Sequence, residues 1–221
     1  NVHLISPKLD SIVHNSKILD AVESIIGKNI LVCSTTLFIK NPNEQGFVSY
    51  HQDAKYIGLE PHNWVTAWVA LTDSNENNGC MKMWPKSHLN IKDHNEKFNE
   101  GNLLTRGQTV ENVPEDKVKI IELKAGQMSL HHPRIVHGSG INKSDDRRIG
   151  FVIQSYISTN VKQTLGKNSV QVARGEDKYH YHEVIHRTNA LMSDESILLR
   201  KKENDHLQEI FYKGAKQKGS Y

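Results

Sequence analysis

The stretch "RIGFVIQSYI", residues 148–157, begins on an arginine and continues as a nearly unbroken apolar run after the polar segment "NKSDD". A short apolar run that follows turn residues is typical of a buried β-strand. Six other runs have the same character: "ILVCSTTLFI" (30–39), "FVSYH" (47–51), "WVTAWVAL" (64–71), "CMKMW" (80–84), "VKIIEL" (118–123) and "QMSLHH" (127–132). Many short strands separated by turn clusters predict an antiparallel sandwich or barrel, with a jelly roll as the favoured member.

Two helical segments flank the strand-rich region. Residues 16–26, "SKILDAVESII", carry apolar side chains at helical spacing and are followed by Gly27, a common helix stop. Residues 193–213 are also helical in pattern. Because no internal repeat or low-complexity linker interrupts the chain, we expect one domain over residues 1–221. The sequence begins with Asn1 instead of Met, so we expect its natural N-terminus to be incomplete.

Composition excludes several classes of function. The net charge of +3 comes from 28 basic and 25 acidic residues that are interspersed, so no basic stripe for nucleic acid is present. No apolar run reaches the ~20 residues that cross a membrane. The two cysteines, Cys33 and Cys80, lie in apolar stretches and favour a reducing, cytoplasmic location. We therefore expect a small-molecule substrate, no nucleic acid and no membrane, whereas the sequence gives no indication of oligomeric state.

A candidate metal site begins at "HQD", residues 51–53. Alternate residues of a strand point to the same side, so His51 and Asp53 can face one metal. A mononuclear non-haem Fe(II) oxygenase needs two histidines and one carboxylate, with the opposite positions open. The third ligand must come from a distant strand, and His137 in "HHPRIVHGSG" is the candidate. The preceding His131 and His132 are most simply polar strand residues, with the alternative that one of them supports the metal ligands from behind.

Arg148 follows His137 by eleven residues, across the turn-like segment "GSGINKSDD". If that turn leads into the next strand, Arg148 returns beside the metal and can grip a carboxylate with two parallel hydrogen bonds. A slip of one residue in the strand register would instead present Arg147.

The segments "HQDAKY", "VTAWVALTDSNENNGCMKMWPKSH" and "HHPRIVHGSGINKSDDRR", in this order, resemble the phytanoyl-CoA dioxygenase family. The resemblance covers roughly residues 30–157 and implies a double-stranded β-helix fold, also called a jelly roll or cupin-like fold, with Fe(II), 2-oxoglutarate and O2 as cofactor and cosubstrates. By the same resemblance, His51, Asp53 and His137 are the iron ligands and the catalytic centre, and Arg148 binds the distal carboxylate of 2-oxoglutarate. Further positions that line the cosubstrate in relatives are Gln52, Trp68 and Ser139, although Trp68 also fits a core position.

The expected activity is hydroxylation of an aliphatic C–H bond of a small polar metabolite, with release of succinate and CO2. A looser resemblance to a bacterial branch that includes 2-aminoethylphosphonate dioxygenases suggests an aminophosphonate. Tyr56, Arg106 and Arg174 are then candidates for substrate binding, whereas the alternative is that these arginines pair with Glu111 or Glu176 at the surface. Other substrates left open are an amino acid, a betaine and an acyl-CoA or lipid-like molecule. A non-catalytic metal-binding cupin-like sensor is the alternative from another class.

A rival motif is "HEVIH", residues 182–186, which matches the H-E-x-x-H pattern of zinc proteases. On a helix His182 and His186 would share a face and hold zinc while Glu183 activates water, with Glu203 as a conceivable third ligand. The segment is locally rich in histidine, and no further ligand follows at the metzincin spacing. A structural or rim role is favoured for both histidines.

Overall fold

The computed structural model of the chain describes residues 1–104 and 106–215. Its α-helices are α1 (Pro7–Val13), α2 (Ser16–Ile26), α3 (Ala54–Ile57) and α4 (Asp194–Tyr212). Its strands are β1 (Ile30–Val32), β2 (Thr35–Lys40), β3 (Val48–His51), β4 (Leu59–Glu60), β5 (Trp64–Ala70), β6 (Met81–Trp84), β7 (Asn95–Glu96), β8 (Gln108–Thr109), β9 (Lys119–Ile121), β10 (Met128–His131), β11 (Val136–Ser139), β12 (Arg148–Ser158), β13 (Lys162–Gln163), β14 (Ser169–Arg174) and β15 (Glu183–Val184). The protein is therefore mainly β with few helices.

The described residues form two compact units. The first contains Asn1–Thr36, Ile57–Ala67 and Val152–Ile210. In it, β1 pairs antiparallel with both β12 and β14, and β15 runs parallel to β14. The apolar side chains of β1 and β12 form much of its core, since Ile30, Leu31, Ile153, Tyr156 and Ile157 are fully buried.

The second unit contains Leu37–Tyr56, Trp68–Phe151 and, at the end of the described chain, residues 211–215. A four-stranded sheet in the order β3–β11–β6–β9 lies in this unit. The pairs within it are antiparallel, and Val136 and Met81 of this sheet are buried. All the residues discussed below as a candidate metal site belong to this second unit.

The sequence pattern predicted most elements within one or two residues. The run at 148–157 is strand β12, and the segment at 193–213 is helix α4. The run at 30–39 divides into β1 and β2, because the chain leaves regular pairing at Cys33 and Ser34. Helix α1 was missed, although its sequence carries a signal: Ser6 accepts a hydrogen bond from Leu9 N as the N-cap, and Pro7 takes the first helical position.

The segment "HEVIH" is not helical. Glu183 and Val184 form the short strand β15, and His182 Nε2 is 2.8 Å from the carbonyl oxygen of Val161. The i, i+4 geometry on which the zinc hypothesis depends is therefore missing. Glu203, its conceivable third ligand, is buried and accepts hydrogen bonds from the backbone N and the Oγ of Ser169.

No helix among residues 1–104 and 106–215 combines the length and the apolar character that a membrane span requires. The expectation of a single domain over residues 1–221 stays a prediction, and its last six residues lie outside those described. Each unit combines segments that are far apart in sequence.

Candidate metal centre

Two histidines meet through the pairing of neighbouring strands. His51 in β3 and His137 in β11 are register partners, and the centroids of their rings lie 4.2 Å apart. Partners in an antiparallel pair project from the same face of the sheet, so the two imidazoles approach one another. Both residues are buried. The structure thus brings together the two histidines that the sequence analysis paired.

Asp53 reaches the two histidines because the chain turns after β3, and not because alternate residues of one strand share a face. Strand β3 ends at His51, and the chain turns into α3 with Ala54 N donating to Pro133 O at 3.0 Å. Asp53 Oδ1 then lies 3.3 Å from His51 Nε2 and 3.9 Å from His137 Nε2. One potential ligand atom from each of the three residues lies within 4.8 Å of the others, and no other such group occurs among the described residues.

Hydrogen bonds fix which ring nitrogen faces the cluster. The Nδ1 atom of His51 is 2.9 Å from Ser49 O, and that of His137 is 3.0 Å from Ile135 O. A carbonyl oxygen only accepts, so each Nδ1 carries the proton and each Nε2 presents a lone pair. Metal-ligating histidines are oriented in this way by an acceptor behind the ring. The backbone of β3 and β11 therefore prepares both Nε2 atoms for a cation.

The protonation states suit a divalent cation. Burial lowers the pKa of His137 to about 3, with a further contribution from His51, so the imidazole is neutral at physiological pH. Burial by itself would raise the pKa of Asp53, but His137, His51 and His131 hold it well below its usual range. Two imidazoles and one carboxylate form the 2-His-1-carboxylate set of non-haem Fe(II) oxygenases. These residues therefore fit a resident Fe(II).

A third histidine, for which the sequence left open a supporting role beside the metal ligands, lies against this cluster. His131 is buried at the end of β10, and its Nε2 is 4.0 Å from Asp53 Oδ2. Its ring centroid lies 4.8 Å from that of His137. Burial lowers its pKa to about 4. This position agrees with the supporting role that the sequence left open for His131 or His132.

Arg148 lies beside Lys40, a residue that the sequence did not point to. Both side chains donate hydrogen bonds to uncharged oxygen atoms. Arg148 Nη2 donates to Gly79 O at 2.8 Å, and Lys40 Nζ donates to Ser139 Oγ at 2.8 Å and to Gly79 O at 3.4 Å. Lys40 Nζ also donates to Gly140 O. Both cations are buried, whereas Arg147 is exposed, so β12 presents Arg148 inward.

Trp68 lies beside this pair of cations. The guanidinium carbon of Arg148 is 5.3 Å from the centroid of the Trp68 ring, within the range of a cation–π contact. Gly150 permits this packing, because a Cβ there would come within 2.1 Å of the indole. Trp68 thus has the core position and also the proximity to Arg148 that the sequence analysis considered.

Gln52, which the sequence predicts at the cosubstrate, holds the loop that follows β6 in this structure. Its Nε2 donates to Asn90 O at 3.0 Å and to Arg134 O, and its Oε1 accepts from Lys92 N at 2.7 Å. Its backbone N donates to His94 Nε2 at 2.9 Å. The amide of Gln52 is therefore committed to protein backbone.

The three candidate substrate residues differ in their surroundings. Tyr56 is buried. The guanidinium carbon of Arg106 lies 5.0 Å from the centroid of its ring, and the ring of His94 packs edge-on with 5.4 Å between the two centroids. Arg106 is also buried; it pairs with Glu96 and donates to Phe211 O at 3.0 Å and Lys213 O at 3.2 Å.

Arg174 lies in the first unit, where Asp20 and Glu23 each accept from it at 2.7 Å. Both arginines are therefore paired with carboxylates. The partners differ from the Glu111 and Glu176 that the sequence suggested, since those two residues pair with Lys97 and Lys178.

A buried set of two histidines and one carboxylate on a mainly β fold, with two buried cations on neighbouring strands, defines the class of non-haem Fe(II) oxygenases that use a 2-oxo acid. Within that class, the chain belongs to the phytanoyl-CoA dioxygenase (PhyH) family, whose family model matches residues 1–150. The family expected from the sequence is thereby confirmed.

Two curated relatives illustrate the range of the family. A Stutzerimonas stutzeri protein named "Probable alpha-ketoglutarate-dependent hypophosphite dioxygenase" is 29% identical over 75% of this chain and 58% of its own length. The human peroxisomal phytanoyl-CoA dioxygenase is 30% identical over 60% of this chain and 41% of its own. This chain thus spans less than two thirds of the length of either relative.

Solved structures confirm the expected jelly-roll fold with flanking helices. The apo form of the non-heme monooxygenase ThoJ superposes with a TM-score of 0.83 and 33% identity, over 96% of this chain and 78% of that chain. Its nickel complex gives a TM-score of 0.79 and 32% identity, over 95% of this chain and 77% of that chain. CytC3 with Fe(II) and alpha-ketoglutarate, at 22% identity, has a TM-score of 0.62 over 86% of this chain and 74% of that chain and supports the fold alone. The family and the cluster of His51, Asp53 and His137 agree with the expected cofactor Fe(II) and cosubstrate 2-oxoglutarate.

Proposed function

We propose that the protein is an Fe(II)- and 2-oxoglutarate-dependent dioxygenase that hydroxylates an aliphatic C–H bond of a small polar metabolite in the cytoplasm. The observation that carries this proposal is the buried cluster of His51, Asp53 and His137, in which the Nε2 atom of each histidine presents its lone pair to the cluster. When bound, Fe(II) and 2-oxoglutarate supply the oxidative chemistry with O2, which releases succinate and CO2 and leaves a hydroxyl group on the substrate.

The chain's own residues bind and orient the metal and the cosubstrate. His51, Asp53 and His137 hold the metal, and the carbonyl groups of Ser49 and Ile135 fix the two ring tautomers. Arg148 binds the distal carboxylate of the cosubstrate, assisted by the hydroxyl of Ser139. Burial of these side chains keeps water away from the reacting centre.

For the substrate we propose an aminophosphonate such as 2-aminoethylphosphonate. The name of the S. stutzeri relative supports a small phosphorus-containing anion. Arg106 and Arg174 give little support, because both are paired with carboxylates. An amino acid, a betaine or an acyl-CoA is the alternative to be screened against it.

The test is a screen for succinate release with Fe(II), 2-oxoglutarate and each class of candidate substrate. One Fe(II) should bind per chain in the absence of oxygen, and 2-oxoglutarate should then add a weak visible charge-transfer band. His137→Ala should abolish the band and the turnover, whereas the exposed His186→Ala should retain both. If the protein binds metal but never releases succinate, it is a non-catalytic metal-binding sensor. If His137→Ala retains the band, the ligand assignment is wrong.

A further inference from the structure

Two buried cations lie in the second unit, and neither has an acidic partner among the described residues. The Nζ of Lys40 donates to three uncharged oxygens, those of Ser139, Gly79 and Gly140. Arg148 donates to Gly79 O, and its buried Nε has no hydrogen-bond partner within the described part of the chain. Lys40 has 0% of its surface exposed and Arg148 has 2%. Neither forms an ion pair within residues 1–104 and 106–215.

Burying two like charges against one shared acceptor is unfavourable. Desolvation penalises each charge, and the two cations also repel each other. Burial, followed by the charge of Arg148, lowers the pKa of Lys40 to about 7. Lys40 thus spends much of its time neutral at physiological pH unless an anion arrives between the two cations.

Building on the proposed function, we infer that Lys40 is a second cationic residue of the cosubstrate pocket, where its ammonium group binds the distal carboxylate of 2-oxoglutarate beside the guanidinium of Arg148. The planar carboxylate offers two oxygens, and the structure provides two cations that meet at Gly79 O. Because Ser139 Oγ accepts from Lys40, its hydroxyl hydrogen is free for the same carboxylate.

Glycine is required at the point where the two cations meet. Gly79 has φ +74, and a Cβ there would lie 2.5 Å from Gly140 O and 2.6 Å from Ile141 O. Only glycine can bring its carbonyl group to both cations in this conformation. The backbone thus fixes Lys40 and Arg148 at one place before any ligand is present.

The arrangement couples cosubstrate binding to proton uptake. The charged or titratable groups that act on Lys40 are Arg148 from β12 and Cys80 just before β6. Burial raises the pKa of Cys80, so its thiol stays neutral. Binding a carboxylate favours the ammonium form of Lys40. Above pH 7 the affinity for 2-oxoglutarate should therefore fall by up to about tenfold per pH unit, and uptake should approach one proton per ligand.

The test replaces Lys40 by methionine, which keeps the aliphatic stem and removes the charge. With Fe(II) and no oxygen, Lys40→Met should weaken 2-oxoglutarate binding by about 10- to 150-fold, the range for a charge-assisted hydrogen bond. Binding of 2-oxopentanoate, which lacks the distal carboxylate, should not change. The control is Lys82→Met in β6, where the lysine is partly exposed and lies 3.8 Å from Glu76. Unchanged 2-oxoglutarate affinity in Lys40→Met would overturn the inference.

A second measurement needs no variant, so it decides the matter even if Lys40→Met fails to fold. Calorimetry of the natural protein in two buffers of different ionisation enthalpy gives the protons taken up on binding. Uptake near one proton at pH 8 that disappears at pH 6 supports the inference, and no uptake at either pH overturns it. If the natural protein binds Fe(II) but no 2-oxoglutarate, the proposed function itself fails.

Discussion

Arg148 and Arg147 are adjacent in sequence but occupy opposite environments. Arg148 is buried against Trp68 and Gly79 O, whereas Arg147 is exposed. The planar guanidinium can grip a carboxylate with two parallel N–H donors, which the point charge of lysine cannot copy. The two positions therefore form a natural pair for testing the cosubstrate pocket.

Arg148→Lys should raise the KM for 2-oxoglutarate by roughly 10- to 150-fold, because one of two charge-assisted hydrogen bonds is lost. Arg147→Lys should leave the KM unchanged. Succinate release as a function of 2-oxoglutarate concentration measures both. A larger effect at Arg147 would mean that the outward-facing arginine binds the cosubstrate.

The sequence predicts a site residue when a short motif around that residue marks it. The triplet containing His51 and Asp53, and the segment containing His137, stand out as sequence motifs. Lys40 did not, because its significance arises only from Gly79, Ser139 and Gly140, which are distant in sequence. For Gln52 the motif position suggested the cosubstrate, which stays a prediction, and the structure adds that its amide holds the backbone of a neighbouring loop.

Among the elements, the turn before β6 is shaped by a glycine. Gly79 and Gly126 both have positive φ, at +74 and +86, but only Gly79 lies against other backbone. A comparison of alanine substitutions at the two positions separates two contributions to the loss of stability. One is the strain of a positive φ, and the other is the contact of the new Cβ with neighbouring backbone. Either substitution forces an L-residue into the left-handed region, at about 1–2 kcal/mol.

Gly79→Ala should destabilise the protein by about 1–3 kcal/mol more than Gly126→Ala, the usual range for overpacking. For a chain of this size each kcal/mol lowers Tm by about 2–4 °C. Thermal unfolding of the two variants measures the difference. Equal Tm values would show that the turn before β6 adapts to a side chain without strain.

Within the second unit, Arg106 holds the C-terminal end of α4. Arg106 bonds to the carbonyl oxygens of Phe211 and Lys213 and pairs with Glu96. The pair is largely buried, with side-chain exposures of 9% and 16%. Removing one member of a buried pair leaves the other charge without compensation.

Arg106→Ala should therefore lower stability by about 3–5 kcal/mol. Arg174→Ala is the matched control, because Arg174 likewise forms ion pairs, in its case with two carboxylates. Arg174 is more exposed than Arg106, and ion pairs at the surface contribute little to stability. Chemical denaturation followed by fluorescence compares the two. Retained stability in Arg106→Ala, together with weaker substrate binding, would contradict this structural role and support the substrate-binding role predicted from the sequence.

At the scale of the whole molecule, the sequence predicted the fold class better than the pairing of strands. Apolar runs bounded by turn residues identify strands locally, and β12 and α2 were placed almost residue for residue. Which strands become neighbours depends on contacts between distant segments. The register that sets His137 opposite His51 is one such contact, and the chain sequence alone does not encode it in any short pattern.

Acid should destabilise the metal-free protein, because several buried histidines are neutral in the folded state. Burial, the largest cause in each case, lowers the pKa of His3 to about 3, of His94 to about 4 and of His131 to about 4. The same histidines titrate near 6.5 when unfolded. Between these values the unfolded state binds more protons, so stability rises with pH and is lost as pH falls below about 6.5.

Each such histidine contributes up to about 1.4 kcal/mol of lost stability per pH unit below that point. Denaturation midpoints of chelator-treated protein at pH 7.0, 6.0 and 5.0 should therefore fall progressively. A divalent cation should raise stability at pH 7.0 more than at pH 5.0, because protons compete with the metal for the Nε2 atoms. His3→Gln should reduce the pH slope without altering the stabilisation by metal, because His3 lies in the first unit and bonds to Thr35. A midpoint that does not change between pH 7.0 and 5.0 would show that these histidines are already accessible to protons in the native fold.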